Sequence, residues 1–247
     1  MSGAEGRIAA RRDWAPGLMT LTLDAPLRPF KPGQFMNLGL LTTGPEAVFR
    51  AYSLASAPGA PLELFLSEIE TGELSPPLFR SRVGDRVLVD PEPHGYFTLD
   101  WVPNARELWL FATGTGLAPF ISMLRSAEPF QRFEHVVVVQ GVRRLEHLAY
   151  ADELRALAAS RRLSWVPAVS RESELPSGLL GGRLTRAFET GAIEEAVGRE
   201  LRAEQAHVML CGNPQMIDEM LALLHARGLR RHRSRSPGHV TVEKYWD

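Results

Sequence analysis

Hydrophobic and polar residues alternate over short stretches in the first hundred residues of the chain. Gly or Pro separates these stretches, and the helical period is almost absent from them. In chain order they read MTLTLDA, GQFMNLGLL, RAYSLAS, LELFLSEI, DRVLVD and GYFTLD. Short strands at this spacing predict a small antiparallel β-barrel. The exception is LSPPLFRS, where Ser75 can cap and Pro76 can begin a short helix.

The pattern changes after the segment WVPNARE, where apolar runs begin to alternate with amphipathic stretches. This alternation predicts parallel strands joined by helices. The predicted strands are 107–111, 135–141, 164–170 and 207–211, and the predicted helices are 117–127, 150–160, 194–203 and 215–227. We therefore expect a two-domain β + α/β protein, with an antiparallel β-barrel over residues 1–101 and a parallel-sheet α/β domain over residues 102–247.

Composition narrows the possible functions. The formal net charge is −1, so no global positive field favours nucleic acid or an anionic membrane as a partner. Cys211 is the only cysteine, which excludes an internal disulfide and any iron–sulfur cluster held by several thiolates. No run has the length of a signal peptide core or of a membrane span. We expect a cytoplasmic monomer without a bound metal.

A glycine-rich turn follows the first apolar strand of the second half, within FATGTGLAPF at residues 111–120. Gly114 and Gly116 allow a tight turn and a close approach of phosphate, while the start of the next helix aims N–H groups at an anion. The dinucleotide fingerprint is only partial, because Pro119 stands where a third Gly is expected. Taken alone, the turn is equally compatible with an ordinary strand-to-helix connection.

Arginines follow the next predicted strands. Arg143 and Arg144 stand where a site for NAD usually offers an acidic residue, and arginine there suits a 2′-phosphate, which favours NADP(H). Arg171 and Arg183 could converge on the same phosphate, because the carboxyl ends of parallel strands face one crevice. The alternative is that these arginines are solvated surface charges.

The last predicted strand ends in Cys211, Gly212, Asn213 and Pro214, again at the carboxyl edge of the sheet. Cys211 can equally be a small buried hydrophobic residue. Gly212 is the stronger indication of a binding site, because a glycine lets a flat ring or a ribose approach the backbone.

The barrel half contains a candidate flavin site. On a strand, Arg50 and Tyr52 project to one side, so that an arginine that can bind pyrophosphate lies beside an aromatic ring that can stack on a flavin. The alternative is an ordinary exposed strand face. Farther on, the helix start at residues 72–75 offers N–H groups and the Ser75 hydroxyl to a second phosphate. Two anion sites favour FAD over FMN.

Five segments together resemble one known family. RAYS, GELS, ATGTGLAPF, CGNPQM and the ending PGHVTVEKYW are similar to the bacterial ferredoxin/flavodoxin–NADP(+) reductases of the plant-type superfamily, over nearly the whole chain. The resemblance implies an N-terminal FAD-binding barrel and a C-terminal NADP-binding domain whose tail returns to the flavin. It also implies electron transfer between NADPH and an acidic carrier, ferredoxin or flavodoxin.

The resemblance further implies roles for individual residues. The implied catalytic residues are Ser53, Tyr52, Glu243 and Tyr245. The implied FAD contacts are Arg50, Ala51, Tyr52, Ser53, Phe65, Leu66, Ser67, Glu68, Glu73, Leu74, Ser75, Thr115, Tyr245 and Trp246. The implied NADP contacts are Thr113, Gly114, Gly116, Arg143, Arg144, Arg171, Arg183, Cys211, Gly212, Asn213 and Pro214. The chain departs from the family pattern by ending in YWD, with Asp247 after Trp246.

Several alternatives remain open at this point. The basic run at residues 230–235 is either a docking patch for the acidic carrier or a solvated loop after a helix. The same two-domain plan would also serve as the reductase component of an oxygenase or as a free-flavin reductase. A non-enzymatic alternative is a binding protein that senses a nucleotide.

Overall fold

A computed structural model of the chain describes residues 3–41 and 47–245, with Leu41 described by its backbone alone. It contains two compact units. The first comprises Met1–Leu99 and Ala118–Ser126, and the second comprises Asp100–Leu117 and Ala127–Asp247. Among the described residues, no helix is long and apolar enough to cross a membrane.

The first unit is built on a six-stranded antiparallel sheet with the order β4-β3-β6-β1-β2-β5. Its strands are β1 (Ala4–Ala15), β2 (Leu18–Asp24), β3 (Phe35–Leu41), β4 (Ala47–Ser53), β5 (Leu62–Ser67) and β6 (Arg86–Val89). The two outer strands meet at one corner, where the Ala55 N–H donates to the Glu63 carbonyl at 2.8 Å. Leu54 and Leu64 form a β-bridge at the same corner. The sheet is therefore barrel-like, and it surrounds an apolar core.

One strand of this unit was not predicted, and one segment predicted as a strand is a loop. Strand β1 was not predicted, because most of its charged residues are exposed and only Gly6 and Ile8 are buried. The predicted strand GYFTLD is a loop that ends in a 3-10 turn at Leu99–Trp101. Gly95 turns the backbone there with a φ of 97°. Residues 97–99 are all buried, whereas a strand with one solvated face would alternate.

The short helix α1 spans Ser75–Arg80, as the Ser-Pro pair predicts, but Ser75 is not its cap. Leu74 occupies the cap position, and its side chain lies in the barrel core. The Ser75 hydroxyl accepts from the Ile69 N–H at 2.8 Å and donates to the Ile69 carbonyl at 3.0 Å. The hydroxyl therefore closes the loop between β5 and α1.

The second unit is built on a six-stranded parallel sheet with the order β10-β9-β8-β7-β11-β12. Its strands are β7 (Glu107–Thr113), β8 (His135–Val142), β9 (Leu163–Val169), β10 (Leu180–Gly181), β11 (Ala206–Gly212) and β12 (Val240–Lys244). The later helices are α2 (Ala118–Leu124), α3 (Glu128–Arg132), α4 (Ala151–Ser160), α5 (Leu184–Glu189), α6 (Ala192–Val197) and α7 (Pro214–Ala226). The central strands are almost wholly buried, as in parallel sheets covered by helices.

The predicted fold class, an antiparallel barrel followed by a parallel α/β sheet, is confirmed. The four strands predicted in the second half are present as β7, β8, β9 and β11. The helix predicted over residues 194–203 is wrong at its end, because α6 stops at Val197 and Gly198 adopts a φ of 67° as a left-handed cap. Helices α3 and α5 and strands β10 and β12 were not predicted.

Helix α2 belongs to the first unit, although it follows the glycine-rich turn of the second. All seven of its residues are buried. The Ser122 hydroxyl donates to the Ser56 carbonyl at 2.6 Å, and Arg125, just after the helix, donates to the Ala55 carbonyl at 3.0 Å. Arg125 also forms an ion pair with Glu63 on β5. The boundary expected at residues 101/102 assigns this helix to the second domain, whereas these bonds tie it to the barrel.

Candidate functional site

The order of the parallel strands identifies a candidate site in the second unit. From β7 the chain adds β8, β9 and β10 on one side of the sheet, and then β11 and β12 on the other. The order therefore reverses between β7 and β11. In open α/β sheets, ligands bind beyond the carboxyl ends of the strands at such a reversal. Thr113 ends β7 and Gly212 ends β11 at this point.

The ends of β7 and β11 are joined by close backbone contacts. The Asn213 N–H donates to Thr113 Oγ1 at 2.9 Å. Gly212 has a φ of 130°, and a Cβ atom there would lie 2.3 Å from Thr113 Oγ1. Gly212 is therefore required for packing against Thr113, and its approach to a flat ring stays a prediction.

The two glycines of the turn have different surroundings. A Cβ at Gly116 would lie 2.4 Å from the Cys211 carbonyl oxygen, so this glycine is required for packing against β11. Gly114 has a φ of 55°, and apart from its own neighbours along the chain no heavy atom of the described residues lies within 4 Å of where its Cβ would be. The turn at Gly114 is therefore open to a ligand, whereas the turn at Gly116 is not.

The start of α7 is capped by its own chain. Asn213 Oδ1 accepts from the N–H groups of Gln215 at 2.9 Å and Met216 at 3.3 Å. Pro214, the first helical residue, has no N–H to offer. This cap was not predicted, although an Asn-Pro pair before an apolar run is a sequence signal for it. The N–H groups of Gln215 and Met216 are therefore already bonded to Asn213 within the chain.

The C-terminal strand brings an acidic and an aromatic residue to the same edge. Glu243 lies opposite Cys211 in the ladder between β11 and β12, and the Cys211 thiol donates to Glu243 Oε2 at 3.8 Å. Burial, and then the Glu243 carboxylate, raise the pKa of this thiol well above its usual value, so it stays protonated. The Tyr245 hydroxyl donates to the Thr115 carbonyl at 2.9 Å. Trp246 and Asp247 lie outside the described residues.

All four predicted arginines follow the ends of adjacent strands. The Arg171 N–H donates to the Arg143 carbonyl at 2.8 Å, so these two residues are backbone neighbours after β8 and β9. The Gly182 N–H donates to the last carbonyl of β9 at 2.9 Å, which brings Arg183 to the same edge. All three side chains are exposed, and so is that of Arg144. Arg183 Nη1 also lies 3.9 Å from Glu219 Oε1.

In the first unit, the ladder between β3 and β4 determines which residues of the RAYS segment share a face. Arg50 lies opposite Leu38 and Tyr52 opposite Met36, so both project to one side, and Ser53 projects to the other. Burial raises the pKa of Tyr52 to about 12, although nearby Arg50 lowers it. The phenol is therefore a neutral ring at any physiological pH.

Arg50 already has partners within the chain. Its Nη2 donates to Glu73 Oε2 at 2.8 Å and its Nη1 donates to the Phe49 carbonyl at 2.8 Å. Both members of the Arg50–Glu73 ion pair remain more than half exposed. The helix start expected to bind phosphate differs from the prediction, because Leu74 is a core residue and the Ser75 hydroxyl is bonded to Ile69.

The remaining predicted FAD residues lie on or after β4 and β5. Phe65 and Leu66 are buried, Ser67 is partly buried, and Ala51 and Glu68 are exposed. Among the described residues, no group of three or more His, Cys, Asp or Glu side chains is arranged to hold a metal ion.

Comparison with known proteins gives consistent matches. Residues 110–221 match the oxidoreductase NAD-binding domain family. A flavodoxin/ferredoxin–NADP reductase of Shigella flexneri is 40% identical over 245 residues, covering 98% of each chain, and that of Escherichia coli is 39% identical over the same length. A crystal structure of a ferredoxin NADP+ reductase from Neisseria gonorrhoeae, with bound FAD and NADP, superposes with a TM-score of 0.92 at 33% identity and covers both chains completely.

Proposed function

The chain belongs to the flavodoxin/ferredoxin–NADP reductase family, and on that premise we propose that it transfers electrons between NADPH and a ferredoxin or flavodoxin through bound FAD. The observation that carries the proposal is the carboxyl edge of the parallel sheet. There an open turn at Gly114 lies at the reversal of strand order, and exposed arginines follow the neighbouring strands. This arrangement suits a phosphorylated dinucleotide.

The residues of the first unit fit a flavin. Arg50 offers guanidinium N–H groups to a pyrophosphate, and Tyr52, on the same face, offers a neutral aromatic ring for stacking. Ser53, on the opposite face of the strand, is buried and can offer its hydroxyl to the flavin ring. When bound, FAD supplies the ability to take two electrons from NADPH and release them one at a time.

The residues of the second unit bind and orient NADPH in this proposal. Arg143 and Arg171 hold the 2′-phosphate, with Arg183 and Arg144 adding positive charge at the same edge. The hydrogen bond that joins the backbones of Arg143 and Arg171 favours Arg143 over Arg144 as the direct ligand. Guanidinium forks suit phosphate oxygens, so the preference for NADPH over NADH follows from this cluster.

The C-terminal strand orders the turn that faces the nucleotide. Tyr245 holds the Thr115 carbonyl, and it must move if a ring is to lie against this turn. Glu243 places a carboxylate beside the buried Cys211 thiol. The thiol remains protonated, so it adds no charge of its own at this point. We expect loss of Ser53 or Glu243 to lower the rate modestly without abolishing it.

The basic segment 230–235 is the proposed docking site for the carrier protein. It forms an ordered turn, in which the His232 N–H donates to the Val240 carbonyl at 2.7 Å and the Arg233 N–H donates to the Ser236 carbonyl at 3.0 Å. Its arginines are exposed. Ferredoxins and flavodoxins are acidic, and an exposed basic turn attracts them over a distance that salt screens. The carrier-dependent rate should fall with ionic strength, and the rate with a small dye should not.

The first experiment tests cofactor and substrate. Purified protein should be yellow, its flavin should bleach with NADPH, and the rate should be higher with NADPH than with NADH. Arg171→Ala should raise the KM for NADPH about tenfold with little effect on NADH, because one charged hydrogen-bonding group is lost. Arg162→Ala is the matched control, because Arg162 precedes the opposite end of β9. Equal effects of the two variants would contradict the proposed phosphate site.

The second experiment separates the alternatives by offering ferredoxin, flavodoxin and free FMN side by side. A preference for free FMN would favour a flavin reductase, and transfer only to an oxygenase would favour a reductase component. Colourless protein that binds NADPH would favour a nucleotide sensor.

We further propose a cytoplasmic monomer, which is consistent with a single buried thiol that has no disulfide partner.

A further inference from the structure

The ion pair between Arg50 and Glu73 is the feature that the proposed function does not explain. Arg50 is the residue proposed to hold the flavin pyrophosphate, yet its Nη2 donates to Glu73 Oε2 at 2.8 Å. The two residues come from different parts of the barrel, since Arg50 lies on β4 and Glu73 lies in the loop before α1. The Glu73 carboxylate is not a ligand for phosphate, because two anions repel each other.

We propose that Glu73 competes with the FAD pyrophosphate for Arg50 and so lowers the affinity of this chain for its flavin. The inference rests on the proposed function, since it assumes that Arg50 holds FAD. Glu73 is thus a positioning residue that acts through Arg50. Its carboxylate holds one guanidinium nitrogen, while the other donates to the Phe49 carbonyl at 2.8 Å. An incoming pyrophosphate must displace this carboxylate or share the guanidinium with it.

The exposure of the pair sets the size of the effect. The side chains of Arg50 and Glu73 are 54% and 71% exposed, so water screens their attraction and exchange of partners is easy. Exposed ion pairs contribute little to stability, which limits the effect of Glu73 on FAD affinity to about three- to fivefold. Glu73 therefore makes FAD easier to release without preventing its binding.

A nearby carboxylate provides the control. Glu70 lies in the same loop, it is also exposed, and no ion pair or hydrogen bond of its side chain is found among the described residues. Replacing Glu70 or Glu73 by Gln removes the same charge from the same loop. Only Glu73→Gln removes a carboxylate that contacts Arg50.

The experiment is a titration of the full chain, stripped of flavin, with FAD. Glu73→Gln should bind FAD about three- to fivefold more tightly than the wild type in about 0.1 M salt, and Glu70→Gln should change the affinity by less than about twofold. In about 1 M salt the gain from Glu73→Gln should shrink to less than about twofold, because the charges are screened within about 3 Å. A merely structural effect would not depend on salt in this way.

The outcomes separate the two proposals. Wild-type protein that binds no FAD would overturn the proposed function, and this inference with it. Wild-type protein that binds FAD, together with a Glu73→Gln variant that binds it no more tightly, would overturn this inference alone. An equal gain from Glu70→Gln, or a gain that is the same in both salts, would also overturn it.

Discussion

Gly114 and Gly116 lie in the turn at residues 113–116, which we call the nucleotide turn. Replacing each glycine separately tests which one is needed for packing and which one leaves room for a ligand. In Gly116→Ala the new Cβ would lie 2.4 Å from the oxygen and 2.6 Å from the carbon of the Cys211 carbonyl, and 2.7 Å from the Gly212 Cα. All three atoms belong to the backbone, so no flexible side chain can yield. The ends of β7 and β11 must move apart, and we expect a loss of about 3 kcal/mol in the free energy of unfolding.

Gly114→Ala should behave differently. Its Cβ meets no described atom within 4 Å apart from its neighbours along the chain, so the cost arises mainly from its φ of 55° and should be about 1 kcal/mol. The added methyl group would, however, occupy the open side of the turn, where we place the nucleotide. We therefore expect the KM for NADPH to rise in Gly114→Ala more than the modest loss of stability would suggest.

Urea unfolding followed by tryptophan fluorescence, together with steady-state kinetics, measures both effects. Gly59→Ala is the matched control, because Gly59 also has a positive φ of 81° and open space around it but lies in the first unit. It should lose about 1 kcal/mol with no change in KM. Equal stability of Gly116→Ala and Gly114→Ala would contradict the packing role of Gly116, and an equal KM of Gly59→Ala and Gly114→Ala would contradict the place of the nucleotide at Gly114.

Three further predictions concern stability. Thr98→Val should raise the free energy of unfolding by about 1 kcal/mol, because the buried Thr98 hydroxyl has no hydrogen-bond partner among the described residues; lower stability would contradict this. Arg125→Met should lower the free energy of unfolding by about 2 kcal/mol, because it leaves the partly buried Glu63 unpaired. An unchanged unfolding midpoint would contradict this. Burial lowers the pKa of His207 to about 3, so the unfolded chain binds an extra proton as the pH falls below about 6.5. The contribution of His207 to the free energy of unfolding should then fall by about 1.4 kcal/mol per pH unit toward pH 4. The dependence of unfolding free energy on pH should therefore be measurably shallower in His207→Gln.

Sequence patterns identified those elements whose burial is continuous. The apolar runs of β7, β8 and β11 are buried throughout, so their strands could be placed to within a residue or two. Strand β1 was not predicted because its position at the centre of the sheet depends on pairing with β2 and β6, whereas half of its own residues are exposed. Local patterns do not report such long-range pairing.

In the candidate site, too, some features could be predicted from local patterns and others depend on contacts between distant segments. The strand-end arginines and the glycine turn could be predicted, because the carboxyl ends of parallel strands meet at one edge whatever the details. The reasons for the individual glycines could not, since the neighbour of Gly212 is Thr113, far away in sequence. The pairing of Arg50 with Glu73 likewise joins two separate segments of the barrel. Each of these contacts depends on the packed fold.

The junction between β7 and β11 holds the nucleotide turn before any ligand arrives. Thr113, Gly116 and Tyr245 attach it to the strand end and to the tail through separate contacts. A segment held in this way has few conformations to lose when a ligand binds, so ordering it reduces the free energy of binding only slightly. Backbone order parameters measured by NMR at residues 113–116 should already be high in the free protein and should rise only slightly when NADPH is added.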